Sequence, residues 1–339
     1  VDRMRGMVVD HQFAVNADGA VVMVWRCLRE GDYERQDVCA RVRGSDGDWS
    51  PRRRVAGSDE VARGWVTPAT VIDDAGVATL TWGAPSGRLI ARRLQADGTG
   101  GATVRLTRGL PPLSHRLRTA INDRGDVLAV WNRGDDRQRL GWQVLSAEGS
   151  PGRARDRRLG RLVEIEVSGA GFALLTRRTG PPRHTVRVTR LAASGRGGTP
   201  TTVARGRADA LRDDRMDLAV APDGSLDFAR ARRRAGSFLT RRVSGDGEAG
   251  PVARVATGLT RPGQVTVGYT DSGRLLAVFR TGKVGANHWW GLRLATGDDQ
   301  GTDPVRLGDG LAYATALVAG EHVHLTSMVE RGEASAWTW

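Results

Sequence analysis

Val15-Asn16-Ala17-Asp18-Gly19 runs directly into Val21-Val22-Met23-Val24-Trp25, and the rest of the chain is read outward from this stretch. Asn, Asp and Gly tolerate the positive φ of a tight hairpin turn, and the apolar run after them suits a buried strand. The pattern returns as Ile72-Asp73-Asp74-Ala75-Gly76 before Val77 to Trp82, and as Ile121-Asn122-Asp123-Arg124-Gly125 before Val127 to Trp131. Weaker copies are read with turns at Gly171, Gly224, Gly273 and Gly320. The interval is about 50 residues throughout, a period that marks stacked units rather than one continuous sheet.

Each unit reads as four short antiparallel strands. A third strand such as Leu89-Ile90-Ala91-Arg92-Arg93-Leu94 is followed by a second Gly turn, at Asp46-Gly47, Asp97-Gly98, Glu148-Gly149 and Asp246-Gly247. The fourth strand carries an Arg-apolar signature, as at Arg105-Leu106, Arg254-Val255 and Arg306-Leu307. No segment keeps apolar spacing of 3.6 residues for three turns, so helix is expected to be scarce. Six units are complete, the seventh supplies three strands, and Arg3-Met4-Arg5-Gly6-Met7 matches the missing fourth. Closure by that strand would leave no unpaired blade edge. The expectation is an all-β, seven-bladed β-propeller of four-stranded antiparallel blades, its ring closed by the N-terminal strand completing the last blade. It would form one domain over 1–339, with blades at about 8–57, 65–110, 116–160, 162–206, 215–259, 264–310, and 313–339 plus 1–7.

The formal net charge is +13, and Lys283 is the only lysine. GC-rich coding accounts for arginine in place of lysine, but not for the excess of positive charge. No run of 18 apolar residues exists, so no helical membrane span is expected. The first residues already belong to the clasp strand, so an export leader would lie ahead of them. Cys27 and Cys39 fall on adjacent strands of the first unit. Folding the hairpin about Tyr33 sets them opposite one another, where a disulfide fits and would stabilise by about 2–3 kcal/mol. Disulfide and repeat architecture together point to a secreted protein, monomeric in isolation.

Residues that recur build the repeat; those that do not are the site candidates. Arg41, Arg93, Arg190, Arg242 and Arg293 are read as one third-strand row, pairing with turn carboxylates such as Asp223 or capping carbonyls between blades. Trp25, Trp82 and Trp131 are read as packing between blades. Turns joining strands one to two and three to four are acidic. Loops at the opposite blade end carry Arg26, Arg29, Arg133, Arg177, Arg178, Arg183, Arg230, Arg232, Arg233, Arg234, Arg280 and Lys283. Such a face attracts phosphate, sulfate or carboxylate polymers. The ligand-binding candidates are Trp65, as a sugar-stacking platform, and His115, with Arg133, Arg177, Arg178, Arg232, Arg233 and Arg280 supplying charge.

First strands contribute Gln12, Ala69, Arg118, Glu164, Asp217, Thr266 and Tyr313 at one aligned position. Among these, Glu164 and Asp217 are the carboxylates that could serve as acid and base if the chain were an enzyme acting on polysaccharide, a hydrolase or lyase. No nucleophile elbow, phosphate loop, zinc motif or calcium-binding Asp ladder is present, so no cofactor or metal is expected. Ser45-Asp46-Gly47-Asp48-Trp49-Ser50 resembles the Asp-box turn of sialidase-type propellers, one spacer short of that pattern. As a whole the chain resembles exported propellers of high-GC Gram-positive bacteria and, within them, the lectin-like propeller subunits of secreted toxin particles. The resemblance is to an architecture, which does not give function. The asymmetric charge and the lack of a catalytic constellation point to a non-catalytic binding module for a glycan, an anionic or cell-wall polymer, or another extracellular protein, with nucleic acid a lesser candidate. The alternatives are the polysaccharide enzyme and a structural platform in a larger extracellular assembly.

Overall fold

A computed structural model describes residues 8–16, 18–29, 32–44, 47–61, 67–107, 113–133, 138–169, 171–180, 183–207, 211, 214–270, 272–283, 286–293, 305–309, 315–319, 322–328 and 334–338. The first sheet contains β1 (Val8–Val15), β2 (Val21–Arg29), β3 (Asp32–Arg43) and β4 (Arg53–Ala56). The second contains β5 (Ala69–Ile72), β6 (Ala78–Gly83), β7 (Leu89–Leu94) and β8 (Gly100–Arg105). The third contains β9 (Leu113–Ile121), β10 (Val127–Arg133), β11 (Leu140–Leu145) and β12 (Arg155–Arg157). The fourth contains β13 (Arg161–Ser168), β14 (Gly171–Arg178), β15 (His184–Leu191) and β16 (Thr201–Gly206). The fifth contains β17 (Arg215–Val220), β18 (Leu226–Arg232), β19 (Ser237–Val243) and β20 (Ala249–Ala256). The sixth contains β21 (Val265–Tyr269), β22 (Leu275–Lys283), β23 (Ala286–Arg293) and β24 (Val305–Asp309). A three-stranded seventh sheet contains β25 (Thr315–Ala319), β26 (His322–Met328) and β27 (Ala334–Thr338). Each sheet follows chain order, the meander expected of a blade. The proposed clasp, Arg3 to Met7, lies outside the described residues, as does Gly320.

The turns share one construction. Asn16, Asp73, Asn122, Ala221 and Thr270 each accept from the glycine three residues on and donate to the carbonyl four residues on. The second turn of the first five blades repeats this at Gly44, Gln95, Ser146, Ala192 and Ser244. It is a type I turn followed by a left-handed glycine, the usual three-residue hairpin loop. The turn glycines accordingly have φ near +80°, for example +77° at Gly76 and +94° at Gly47. The Asp-box-like segment at Gly47 is one of these turns. The fourth blade departs from expectation. Its first turn uses Gly169, at φ +53°. Gly171 opens β14 because a side chain there would meet the Leu191 carbonyl oxygen at 2.5 Å.

Strand pairing fixes which residues are equivalent. Val21, Ala78, Val127 and Leu226 begin the second strands and pair with Arg43, Leu94, Leu145 and Val243. This corrects the arginine row. Arg41 aligns with Arg92 and Arg241, one place before Arg93 and Arg242. Arg41, Arg92 and Arg241 each donate Nε–H to the carbonyl nine residues on, at Ser50, Gly101 and Gly250. Gln143 does the same toward Gly152. Arg92 and Arg241 also reach back to the preceding blade, at the Val55 and Val203 carbonyls, 2.9 and 3.2 Å away. In the other row Arg242 pairs with Asp223 at 2.8 Å and Arg93 caps the Ser146 and Ala147 carbonyls of the next blade, as expected, while Arg190 donates to the Ser168 hydroxyl of its own blade at 3.4 Å.

The disulfide between Cys27 and Cys39 is present, with Cα atoms 5.9 Å apart. The cysteines are diagonal rather than opposite: the ladder pairs Cys27 with Asp37 and Trp25 with Cys39, because the hairpin folds nearer Arg29 and Asp32, which pair, than about Tyr33.

The chain divides into two compact units, Val1–Ala173 with Arg190–Gly198, and Leu174–Thr189 with Thr199–Trp339. In the first unit, one apolar cluster joins Val24, Val38 and Val55 to Ala78, Leu80 and Trp82 of the second blade. The next joins Ala69, Leu89 and Ala91 to Ala129 and Trp131. In the second unit Ala229, Ala231 and Phe238 pack against Val267, Ala277 and Phe279, with Phe238 stacked on Phe279 at 5.4 Å. Middle strands are covered on both faces, so β6 and β11 are buried along their whole length. Their apolar runs therefore read as continuous rather than alternating.

Candidate functional site

In the second unit, three loop segments at the basic end of the blades are knitted together by backbone hydrogen bonds. Gly236, after β18, accepts from Leu259 N–H at 2.9 Å. Gly282 N–H donates to the Thr260 carbonyl, Gly263 N–H to the Arg280 carbonyl, and Arg280 N–H to the Gln264 carbonyl. Gly236 has to be glycine, because an added Cβ would stand 2.7 Å from the Leu259 carbonyl oxygen. The platform carries Arg232, Arg233, Arg234, Arg261 and Arg280. Arg233, Arg234 and Arg261 are exposed, while Arg232 and Arg280 are half-buried.

Arg261 is the one described non-glycine residue with positive φ, at +47°. It precedes Pro262, which disfavours helical backbone at the residue before it. A left-handed conformation costs a side-chain-bearing residue about 1–2 kcal/mol. Hydrogen bonds on either side, at Thr260 and Gly263, hold the strained residue in place. Strain kept by its surroundings is a pointer to function. Sequence reading missed Arg261, because only the backbone dihedral sets it apart.

Beneath the platform Arg230 and Asp214 form a buried ion pair, with Nε–H donating to Oδ2 at 2.6 Å. The second Asp214 oxygen accepts the Arg233 amide at 3.2 Å. Arg177 donates to the Leu211 carbonyl at 2.7 Å, anchoring the segment that leads to Asp214. Of the expected loop arginines, Arg26 and Arg230 are therefore buried rather than presented to solvent. Arg178 is half-buried at the end of β14. In the first unit Arg54 of β4 pairs with Asp37 at 3.4 Å and Arg139 with Asp156 at 3.1 Å, each within one blade. Trp65 lies outside the described residues. His115 and Arg133 fall in β9 and β10, and their side chains lie outside them too.

The inner-strand row aligns as expected: Gln12, Ala69, Arg118, Asp217 and Thr266 sit opposite Val24, Thr81, Val130, Ala229 and Val278. Both carboxylates proposed for it are engaged between blades. Glu164 accepts from Arg118 of the preceding blade at 2.5 Å. Asp217, buried, accepts Val267 N–H of the following blade at 2.8 Å.

A separate cluster lies near the opposite, acidic end of the fifth and sixth blades. Tyr269 OH donates to Asp227 at 2.5 Å, and Arg242 lies 4.0 Å from the same carboxylate. Burial pushes the Asp227 carboxyl above its ordinary value, with Tyr269 and Arg242 opposing. Burial, then the hydrogen bond to Asp227, raises the Tyr269 phenol, so it stays a neutral donor. A carboxyl with a raised folded pKa costs stability above that pKa, and the cost is relieved as pH falls through it. Tyr269→Phe removes a donor that supports the charged form. The expected loss is about 1.5–3 kcal/mol at neutral pH, as for a hydrogen bond to a charged group. It should shrink on acidification, when Asp227 takes up a proton. Urea titrations at neutral and acidic pH check this, and a pH-independent loss would refute it.

No family model and no curated protein sequence matches the chain. Solved structures do match its arrangement. The BP39L lectin from Burkholderia pseudomallei superposes with a TM-score of 0.60 at 9% identity, over 98% of this chain and 96% of that one. The β-propeller domain of the Trilobed protease from Pyrococcus furiosus gives 0.58 at 9% identity, over 98% and 95%.

The fold is a β-propeller.

The polysaccharide lyase Uly1 is also similar, at 0.57 and 12% identity, over 94% of this chain and 86% of that one. A lectin, a protease domain and a lyase on one propeller scaffold locate function in the loops and site residues rather than in the blades.

Proposed function

We propose that this propeller is a non-catalytic, exported binding module that engages an anionic glycan or cell-wall polymer through the platform of Arg232, Arg233, Arg234, Arg261 and Arg280. The observation that carries the reading is the platform itself: exposed arginines on loops locked by backbone hydrogen bonds, one of them held in a strained conformation. Preorganised charge binds with little ordering cost, and clustered arginine suits sulfate, phosphate or carboxylate groups. The disulfide supports export. The inter-blade engagement of Glu164 and Asp217 favours binding over an acid–base reaction.

The test is a polysaccharide array of sulfated, uronate, teichoic-acid and neutral glycans, with duplex DNA as a further arm, read at several salt concentrations. Affinity for the anionic glycan should fall steeply with salt. In the variant combining Arg233→Ala, Arg234→Ala and Arg261→Ala, the slope against log salt should drop by about one for each arginine that pairs with the polymer. An array without a salt-sensitive glycan hit, or a triple variant that binds as wild type, overturns the proposal. Preference for DNA would reassign the partner.

A further inference from the structure

Strand register aligns one position across these blades, four residues into the second strand, and at Trp82, Trp131 and Phe279 its large side chain packs against the preceding blade. It is Trp25, Trp82 and Trp131 in the first three blades and Phe279 in the sixth. In the fifth blade it is Arg230, opposite Leu239. The arginine does not take the tryptophan's place. It turns to the buried Asp214 instead. In the second and third blades the indole fills the gap. Trp82 shares a cluster with Val55, whose carbonyl Arg92 caps. Val203 is the fourth blade's counterpart of Val55, since Arg241 caps it in the same way.

Between Val203 and the fifth blade lies a cleft of about 370 Å³, within the size range of small-ligand pockets. Phe228 and Leu239 form one wall and Val203 the other. Val252, opposite Arg241 in the ladder and 55% exposed, stands at the mouth. Arg205, on the same strand and exposed, also lines the cleft. No carboxylate lines the cleft among the described residues, and Asp214 is already held by Arg230 and the Arg233 amide.

We propose that this cleft is a second binding site, independent of the basic platform, for a small aryl carboxylate. The flat apolar body would occupy the space that tryptophan fills in other blades, and its carboxylate would meet Arg205. Arg230 and Arg241 also line the cleft, but Asp214 holds the first and the Gly250 and Val203 carbonyls the second, so an apolar wall with Arg205 as the rim cation selects this class. A neutral arene would forgo the charge, and a compact inorganic anion would leave the apolar walls wet.

Indole-3-acetate is the probe, with neutral indole as comparison, read by saturable chemical-shift changes on the intact protein. Saturable binding of indole-3-acetate is expected. Arg205→Ala should weaken it by about tenfold or more, the value of one charge-assisted hydrogen bond. Val252→Trp, a change at an exposed position that should leave folding intact, should block it. The double variant Arg230→Trp with Asp214→Asn should fill the cleft and abolish it. The proposal is overturned by absent saturation, by equal affinity for indole, or by undiminished binding to Val252→Trp. Loss of polyanion binding in the platform variant would leave this result unchanged, so the two proposals fail separately.

Discussion

Asp214→Ala is expected to lower the free energy of unfolding by about 3–5 kcal/mol, the range for removing one partner of a buried ion pair. Asp214 and Arg230 are 3% and 9% exposed. The loss comes less from the missing attraction than from the guanidinium left in a dry site, and from the Arg233 amide that also loses its acceptor. In the double variant Asp214→Ala with Arg230→Met the charge goes with its partner, and an apolar chain takes up part of the vacated volume. Most of the stability should return. Equilibrium urea unfolding of the three proteins checks this. A double variant as unstable as the single would show that the uncompensated charge is not the cause.

Trp131→Ala is expected to cost about 3–5 kcal/mol, as for truncating large aromatics in cores. Trp131 is 1% exposed, and it lies over Gly141, where an added Cβ would stand 2.3 Å from the indole. That glycine leaves room for the ring, but it has no side chain with which to close the hole once the ring is gone. Against a total stability of about 5–15 kcal/mol, the loss is a large fraction. Trp131→Phe keeps most of the packing and should lose much less. Equal losses for the two variants, measured in the same urea titrations, would argue that the ring is not packing as described.

Much of the fold was legible because its turns are chemical signatures. Glycine at the fourth place of each loop, with apolar residues resuming two places later, marks the hairpins whatever the strand residues are. The aligned inner row from Gln12 to Thr266 follows from that spacing. The first-blade arginine was misaligned for a physical reason. Val42 is buried beside Arg41, so the pair mimics Arg93-Leu94. Counting back four residues from Gly47 and Gly98 places Arg43 with Leu94. The same count along the second strands would have placed Arg230 among the tryptophans. The cleft was therefore half visible in the sequence. Its other half, the turn of Arg230 toward Asp214, depends on an ion pair across a loop. Arg261 left no mark in the sequence, since its backbone conformation is imposed by bonds from two other segments.

Neighbouring blades are joined at more than one radius. In the first unit Asn16 reaches forward to the Asp73 carbonyl, and Arg93 to those of Ser146 and Ala147, while Arg92 reaches back to Val55 near the outer edge. In the second unit Thr201 reaches forward to Gly247, Arg241 back to Val203, and Asp217 takes the Val267 amide on the inner strand. Two plates pinned at one point can swivel. Pinned at two or three, they can only flex. The loops at the basic end are thus mounted on a frame that resists shear between adjacent sheets. The spacing of their arginines is set by that mounting, as the teeth of a comb are set by its spine, and the polymer proposed for them would meet a ruler rather than a brush.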